Sequence, residues 1–366
     1  MSERQNLIRR TRDGMGRRRF LRGAVMASAG AAMTLRSSGA LGRPNPQVSA
    51  RNDLIWGVNG HPVTSYPGIS LDDQFRLVRD LGFTHYRIDL RGDGSPDYLD
   101  QILKSAATWN ISIIPILLPD ANLEKDSEDD IRALSFEVGR NMAKRFQRRV
   151  PIWELGNELE NFAIIRPCEM RDDGTQYPCE WGLAGGVGPL EYFGPRWKKV
   201  SAMLKGLAEG VGEADPKALR AMGTAGFGHL GAFVRMAKDE IPWEITVWHD
   251  YETVRESYLE ELASYGKPIW ITEFNAGGGG EFAHQENARM IAERVAYYRS
   301  VREKYRVTAA FFYELFDQPY WGDDFEARMG LASLKRQNPE SDRLWAIDAV
   351  KPQGLAIRDA IKHNNR

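Results

Sequence analysis

The sequence contains few of the residues that bind metals or form redox centres. Its 366 residues include two cysteines and six histidines, and the histidines are scattered along the chain. It contains no His-Glu-x-x-His, Gly-x-Ser-x-Gly or paired Cys-x-x-Cys motif. The four glycines at 277–280 lack the lysine of a phosphate-binding loop, and Arg91 occupies a ligand position in a stretch that begins like a calcium loop. The sequence therefore predicts no metal and no organic cofactor, and we interpret 277–280 as a flexible rim loop.

The chain also lacks a large net charge, but its charges are unevenly distributed. It has 49 basic and 50 acidic residues, a formal charge of −1. Residues 1–40 hold nine arginines and two acidic residues, so the remainder has 40 basic and 48 acidic residues and a charge of −8. An acidic surface repels phosphate backbones, which argues against a nucleic-acid partner.

The arginines near the start precede a short uncharged stretch. Residues 23–35 contain no charged side chain, but thirteen residues are too few for a transmembrane helix, which needs about 20. A basic N-terminal segment, a short apolar segment and small residues before a cleavage site are typical of a secretory signal. The alternative is a basic, disordered N-terminus that binds an anionic partner.

The sequence Arg-Arg-Arg-Phe-Leu-Arg at 17–22 resembles the twin-arginine export signal. This resemblance implies a bacterial protein that the twin-arginine machinery delivers, already folded, to the periplasm or beyond. Ser38-Gly39-Ala40 is a plausible cleavage site. We therefore assign 1–40 to the signal peptide, 41–52 to a short linker and 53–366 to one domain, and expect no stable membrane anchor in the mature form.

Cys168 and Cys179 lie in the same polar, glycine- and proline-containing stretch. An oxidising destination favours their pairing, which would close a loop of twelve residues and contribute about 3 kcal/mol in the chain-entropy model. The alternative is two unpaired surface thiols. A zinc site is poorly supported because no histidine lies in this stretch.

Short apolar runs alternate with amphipathic helical patterns throughout the domain, which predicts a parallel sheet. Eight βα units in this length favour a single (β/α)8 TIM barrel in the α/β class. A doubly wound open sheet is the alternative, but no glycine-rich fingerprint follows the first strand. The expected strands are 54–59, 83–90, 111–118, 151–157, 219–225, 244–250, 268–273 and 308–315, and the expected helices are 70–81, 97–109, 128–147, 191–209, 229–238, 255–265, 285–304 and 347–361.

Two glutamates end two of these strands, where the chemistry of such barrels is found. Glu158 follows the fourth apolar run and Glu273 ends the seventh, so both are expected to face one cleft. Paired carboxylates suit glycoside hydrolysis, because one donates a proton to the leaving oxygen while the other meets the anomeric carbon. A separation of about 5–5.5 Å between the carboxyl groups indicates retention of configuration, and about 6.5–9.5 Å indicates inversion.

The motifs around these glutamates resemble those of retaining β-glycosidases of the large (β/α)8 clan that includes family 5 cellulases, family 39 xylosidases and related exopolysaccharide hydrolases. The resemblance covers about residues 54–362 and implies that Glu158 is the acid/base and Glu273 the nucleophile. The resemblance also implies that Arg87, Asn157, His249 and Tyr251 bind the substrate. The polar residues Asn59 and His61 at the end of the first strand complete the expected substrate-binding set. Many clan members end strand eight with a tryptophan beneath the reactive sugar, whereas this chain offers Tyr313, Phe316 or Trp321.

Several of these residues also have structural interpretations. Arg87 could form an ion pair with Asp89, and His249 could be a hydrogen-bonded wall residue. Trp153 and Trp270 lie inside strand patterns and are expected to pack beneath helices. Other tryptophans could stack on sugars, although packing is the commoner role: Trp56, Trp181, Trp248 and Trp321.

The leading hypothesis is an exported retaining hydrolase that takes a β-linked oligosaccharide or polysaccharide, such as an exopolysaccharide, as its carbohydrate substrate. The stretch 159–191 is expected to form a wall of the cleft beside Glu158. Two alternatives remain open: a catalytically inactive sugar-binding barrel within a polysaccharide secretion system, and a transglycosylase that passes the covalent intermediate to a sugar acceptor.

Overall fold

The computed structural model describes residues 54–62, 65–90, 95–251, 255–276, 284–322, 325–338 and 344–362. The expected signal peptide, the linker, the start of the domain at Asp53 and the glycine stretch 277–280 lie outside the described residues. No helix among the described residues is long and apolar enough to cross a lipid bilayer.

Eight parallel strands close into a barrel in chain order, and the eighth pairs with the first. This confirms the (β/α)8 prediction. The strands are β1 (Ile55–Gly60), β2 (His85–Leu90), β3 (Ser112–Leu117), β4 (Ile152–Leu155), β5 (Leu219–Thr224), β6 (Ile245–Asp250), β7 (Ile269–Phe274) and β8 (Val307–Phe312). The helices that follow them are α1 (Leu71–Asp80), α2 (Ser95–Thr108), α3 (Glu128–Arg145), α4 (Gly194–Ala214), α5 (Gly231–Lys238), α6 (Glu256–Ser264), α7 (His284–Tyr305) and α8 (Pro352–Lys362).

Local sequence explains where the helices begin. The Ser70 side chain accepts a hydrogen bond from the backbone N–H of Asp73 (3.1 Å) at the start of α1, and Ser127 does the same for Asp130 (3.1 Å) at the start of α3. Such N-caps satisfy backbone donors that have no partner within the helix. Acidic residues in the first turn of both helices, and basic residues in the last, complement the helix dipole.

The barrel interior is filled by side chains from the strands alone. This cluster comprises Ile114, Ala221, Ile245, Val247, Trp270, Ala309 and Phe311. The expectation that Trp270 packs beneath a helix was therefore wrong, because its ring lies against Phe311 with centroids 5.6 Å apart. Trp153, in contrast, packs outside the sheet near Phe146, as expected. Gly57 makes room for Phe311, since a Cβ at that position would lie 2.2 Å from its ring.

The chain after β8 differs from the sequence prediction. Residues 347–361 were expected to be one helix, but Trp345–Val350 forms a strand, β10, which pairs antiparallel with β9 (Ala332–Arg336). The helix α8 begins only at Pro352. Pairing with β9 overrides the helical periodicity of the first residues, and proline suits the first position of a helix.

A long connection, residues 156–193, joins β4 to α4. It contains two 3-10 helices, Leu159–Ala163 and Pro189–Glu191, and a disulfide between Cys168 and Cys179. Arg196 donates to the Glu169 carboxylate (2.5 and 2.8 Å), and Arg235 donates to Asp172 (2.7 Å). The expected cysteine pairing is therefore present, and ion pairs to α4 and α5 hold the same segment.

Candidate active site

Arg87 on β2 lies at the centre of a buried polar network at the carboxyl end of the barrel. Its Nε donates to Glu154 (2.6 Å), and its Nη1 donates to Asn59 (2.7 Å) and Glu273 (2.8 Å). Its Nη2 donates to Glu154 and to Asn157 Oδ1 (2.8 Å). Burial opposes the guanidinium charge, but attraction and hydrogen bonds from Glu154 and Glu273 raise the pKa of Arg87 above its ordinary value. The arginine is therefore charged and links β1, β2, β4 and β7.

The Glu273 carboxylate on β7 is held by donors at both oxygens. Oε1 accepts from Arg87, and Oε2 accepts from the hydroxyl of Tyr251. His249 on β6 lies opposite Glu273 on β7 in the strand register. Its side-chain Nδ1 lies 3.4 Å from Glu273 Oε2. Donors and a nearby positive charge favour the ionised form of a carboxyl group. The geometry therefore suits an anionic Glu273.

Glu158 lies just beyond β4, in a turn with unusual backbone geometry. Gly156 has φ 77°, and Glu158 itself has φ 51° and ψ 34°, in the left-handed region. A non-glycine residue in this region costs about 1–3 kcal/mol and persists only where its surroundings hold it. Its Oε1 lies 2.9 Å from His249 Nδ1, and its side chain is 12% exposed. The turn thus presents a partly exposed carboxyl group beside a buried histidine.

The two glutamates face the same space. A carboxylate oxygen of Glu158, a ring nitrogen of His249 and a carboxylate oxygen of Glu273 all lie within 4.8 Å of one another. Glu158 and Glu273 are far apart in the sequence, but both lie at the same end of the barrel.

The same three groups could in principle hold a divalent cation, because histidine nitrogen and carboxylate oxygen are both common ligands. The local charges argue against this. Both oxygens of Glu273 already accept hydrogen bonds, one of them from the permanently charged guanidinium of Arg87. The residues fit proton transfer better than metal binding.

A second polar cluster lies beside β1 and β8. His61 Nδ1 is 2.8 Å from Asp89, and His61 Nε2 is 3.4 Å from Glu314 Oε2. That oxygen also accepts from Tyr66 (3.1 Å) and Gln318 (2.5 Å). Glu314 Oε1 is buried and has no hydrogen-bond partner among the described residues. Burial raises the pKa of Glu314 to about 7, against the opposing effects of His61, Gln318 and Tyr66.

Comparisons with known proteins support the fold. No family model and no curated protein sequence matches the chain. Similar solved structures include a family 1 β-glucosidase from Thermotoga maritima, with 13% identity and a TM-score of 0.56 over 85% of this chain and 98% of that one. The Ignisphaera aggregans GH53 catalytic domain has 12% identity and a TM-score of 0.59, over 87% of this chain and 98% of that one.

A third similar structure is the virulence factor SghA from Agrobacterium tumefaciens. It has 11% identity and a TM-score of 0.57, and the match covers 85% of this chain and 97% of that one. At such low identity, these likenesses show that the chain shares a barrel fold with glycosidases, and no more.

The structure brings together most of the residues singled out from the sequence. Asn59 binds Arg87 and also donates to the backbone carbonyls of Thr272 (2.8 Å) and Phe312 (3.1 Å). Tyr313 follows β8, and its ring lies edge-on to those of His61 and Tyr251, each with centroids 6.0 Å apart. The cis peptide bond of the described residues joins Tyr313 to Glu314.

The remaining aromatic candidates lie in different places. Trp56 and Trp248 are buried and serve packing, whereas Trp181 is exposed on the 156–193 connection. The side chain of Trp321 lies outside the described residues, and its backbone ends the 3-10 helix Pro319–Trp321.

Some partners were not anticipated. Arg87 does not pair with Asp89; its carboxylate partners are Glu154 and Glu273, and Asp89 pairs with His61. Glu154 lies three residues before Asn157 and aligns with Ile116 of β3, so its contact with Arg87 depends on strand register.

Proposed function

We propose that the protein is an exported retaining β-glycoside hydrolase that cleaves β-linked oligosaccharides or polysaccharides by double displacement. The observation that carries the proposal is the approach of Glu158 and Glu273 to one ring nitrogen of His249, with oxygens and nitrogen within 4.8 Å. This spacing supports the retaining class, in which the carboxyl groups lie about 5–5.5 Å apart. The similar barrels described as β-glucosidases support the same class of reaction.

In the first step, Glu273 attacks the anomeric carbon and forms a glycosyl ester as the bond to the leaving oxygen breaks. Glu158 donates its proton to that oxygen, so the leaving group departs as a neutral alcohol. Arg87 and Tyr251 hold the attacking carboxylate ionised and oriented. The Asn157 amide, whose oxygen accepts from Arg87, would contact the sugar beside the acid.

In the second step, water replaces the leaving group. Esterification removes the charge of Glu273, and Glu158, now ionised, takes a proton from the water as it attacks the anomeric carbon. The sugar leaves with its original configuration, and Glu158 is protonated again. His249 is within hydrogen-bond distance of Glu158, so it can steady that carboxyl group in both protonation states.

The main test is hydrolysis of a panel of aryl β-glycosides and β-linked polysaccharides. We expect Glu273→Ala to lower kcat/KM by more than about 10⁴-fold, because the nucleophile is lost. We expect Glu158→Gln to lower it by about 10²–10⁴-fold. The matched control is Glu209→Gln, because Glu209 is an exposed carboxylate on α4 paired with Arg132. Unchanged activity in Glu273→Ala would remove the assignment.

The acid/base role has its own test. With Glu158→Gln and an activated aryl glycoside, added azide is expected to restore turnover and yield the β-glycosyl azide, because azide needs no proton removed. An α-azide would indicate inversion. Binding of sugars without turnover in the unmodified protein would favour the inactive sugar-binding barrel, and oligosaccharide products longer than the substrate would favour a transglycosylase.

We further propose export through the twin-arginine machinery. The basic run at 17–22 and the disulfide, which suits an oxidising compartment, support it. In a bacterial host, replacing Arg17 and Arg18 together by lysine is expected to retain the protein in the cytoplasm, as measured by fractionation. Replacing Arg9 and Arg10 by lysine is the matched control. Equal export of both variants would contradict the proposal.

A further inference from the structure

Phe227 is an exposed aromatic residue with a constrained backbone at the mouth of the barrel. It follows β5 in the sequence Gly226-Phe227-Gly228, and these residues have φ values of 81°, 52° and 101°. A bulky residue at positive φ is a genuine outlier, and such residues cluster at binding and active sites. Phe227 is 39% exposed, whereas Phe311 in the barrel interior and Phe312 beside it are fully buried.

The surrounding structure holds Phe227 in this conformation. Gly226 packs against the strand carrying His249, since a Cβ on Gly226 would lie 1.9 Å from the His249 carbonyl oxygen. Glu160 accepts from the backbone N–H of Ala225 (2.6 Å) and lies 2.9 Å from His229 Nδ1. The loop is thus fixed on both sides of Phe227 by buried contacts.

The Phe227 ring lies close to the proposed catalytic groups. It is nearly parallel to the ring of Tyr251, at 12° and with centroids 6.5 Å apart, and Tyr251 binds Glu273. Because β5 lies between β4 and β6, Phe227 also lies on the side of the mouth that presents Glu158 and His249. A proton donor faces the oxygen of the leaving group, so that side must receive the leaving group.

We propose that Phe227 is a stacking platform for the leaving-group side of the substrate and favours substrates that carry a ring there, either a second sugar or an aryl group. This inference rests on the proposed hydrolase function. The exposed apolar face of the ring gains by covering the C–H face of a sugar or the face of an aryl group. The fixed backbone means that little freedom is lost when the leaving group binds.

The test compares two substrates that share one sugar, namely the sugar cleaved fastest in the aryl panel. The 4-nitrophenyl β-glycoside carries a ring on the leaving side, and the β-glycosyl fluoride does not. For Phe227→Ala we expect kcat/KM to fall about tenfold with the 4-nitrophenyl glycoside and less than twofold with the fluoride. Phe227→Tyr is expected to retain most of the activity on both, because it keeps the ring.

Leu355→Ala is the matched control, because Leu355 is a similarly exposed apolar residue (41%) on α8 and is not in the network around Glu158 and Glu273. An equal loss of kcat/KM on both substrates, or no loss on either, would contradict the proposed role of Phe227. If Phe227→Ala unfolds, Phe227→Leu keeps the apolar bulk without the ring and is expected to show the same selective loss. Absence of hydrolysis of either substrate by the unmodified protein would instead overturn the proposed function.

Discussion

Two buried clusters at the barrel mouth surround their carboxyl groups with different partners. In the Arg87 cluster, Glu154 and Glu273 both contact one charged guanidinium. In the Glu314 cluster, the described partners of the carboxyl group are a tyrosine, a glutamine and a histidine, and burial raises the pKa of Glu314 to about 7. The two clusters differ in whether a fixed cation lies beside the buried carboxyl groups, and such a cation compensates for the hydration lost on burial.

The largest expected effect is the loss of the cation itself. Arg87→Leu leaves the Glu154 and Glu273 carboxylates buried without their partner, so we expect the free energy of unfolding to fall by about 3–5 kcal/mol. Chemical denaturation measures this change. Arg132→Leu breaks an exposed pair with Glu209 and is expected to cost no more than about 1 kcal/mol. Equal losses in the two variants would mean that Arg87 does not compensate buried charge.

A smaller effect is expected from Glu314→Gln, and it depends on pH. The folded-state pKa of Glu314 is about 7, above the value of 4.5 for a free side chain, so its protonated form stabilises the fold. That stabilisation is complete below pH 4.5 and is lost as the pH rises through 7. The glutamine variant should therefore gain about 2–3 kcal/mol of stability relative to the unmodified protein between pH 5 and pH 8. Urea unfolding at both pH values measures it, and a constant difference would show that Glu314 does not titrate in this range.

The smallest effect concerns Tyr66, whose hydroxyl donates to Glu314 (3.1 Å). Tyr66→Phe should cost about 1 kcal/mol, a typical value for one hydrogen bond. Because this hydrogen bond lowers the pKa of Glu314, the variant should also move the midpoint of the pH dependence upward. A downward shift would contradict the assigned direction of the hydrogen bond. Tyr305→Phe is the matched control, because its hydroxyl donates to Glu256, outside the Glu314 cluster.

The strand ends were predictable from the sequence because they follow from periodicity. Apolar runs ending in polar residues located Asn59, Arg87, Glu158 and Glu273, and one rule about barrels brought them to one face. Their pairwise contacts were not predictable, because those depend on strand register. Arg87 reaches Glu154 across β3, where a shift of one residue would turn the side chain to the other face of the sheet.

The structure of the segments that connect the barrel elements was harder to predict from the sequence. The sequence predicted a helix that includes part of the strand Trp345–Val350. Its strand conformation depends on pairing with β9, which the local sequence does not indicate. Phe227 was overlooked because a phenylalanine between two glycines does not by itself indicate a left-handed backbone. The flanking glycines were the available signal, since both adopt positive φ around the aromatic residue.

Asn59 connects the closure of the barrel to the polar network around Arg87. Its amide, on the first strand, reaches carbonyl groups of the last two strands while its oxygen accepts from Arg87. The seam where the barrel closes is therefore made partly from groups that also hold the Glu273 carboxylate. A chain that has formed seven strands but has not yet docked the eighth would lack the hydrogen bonds from Asn59 to β7 and β8, so the arrangement proposed for catalysis would be complete only when the ring closes.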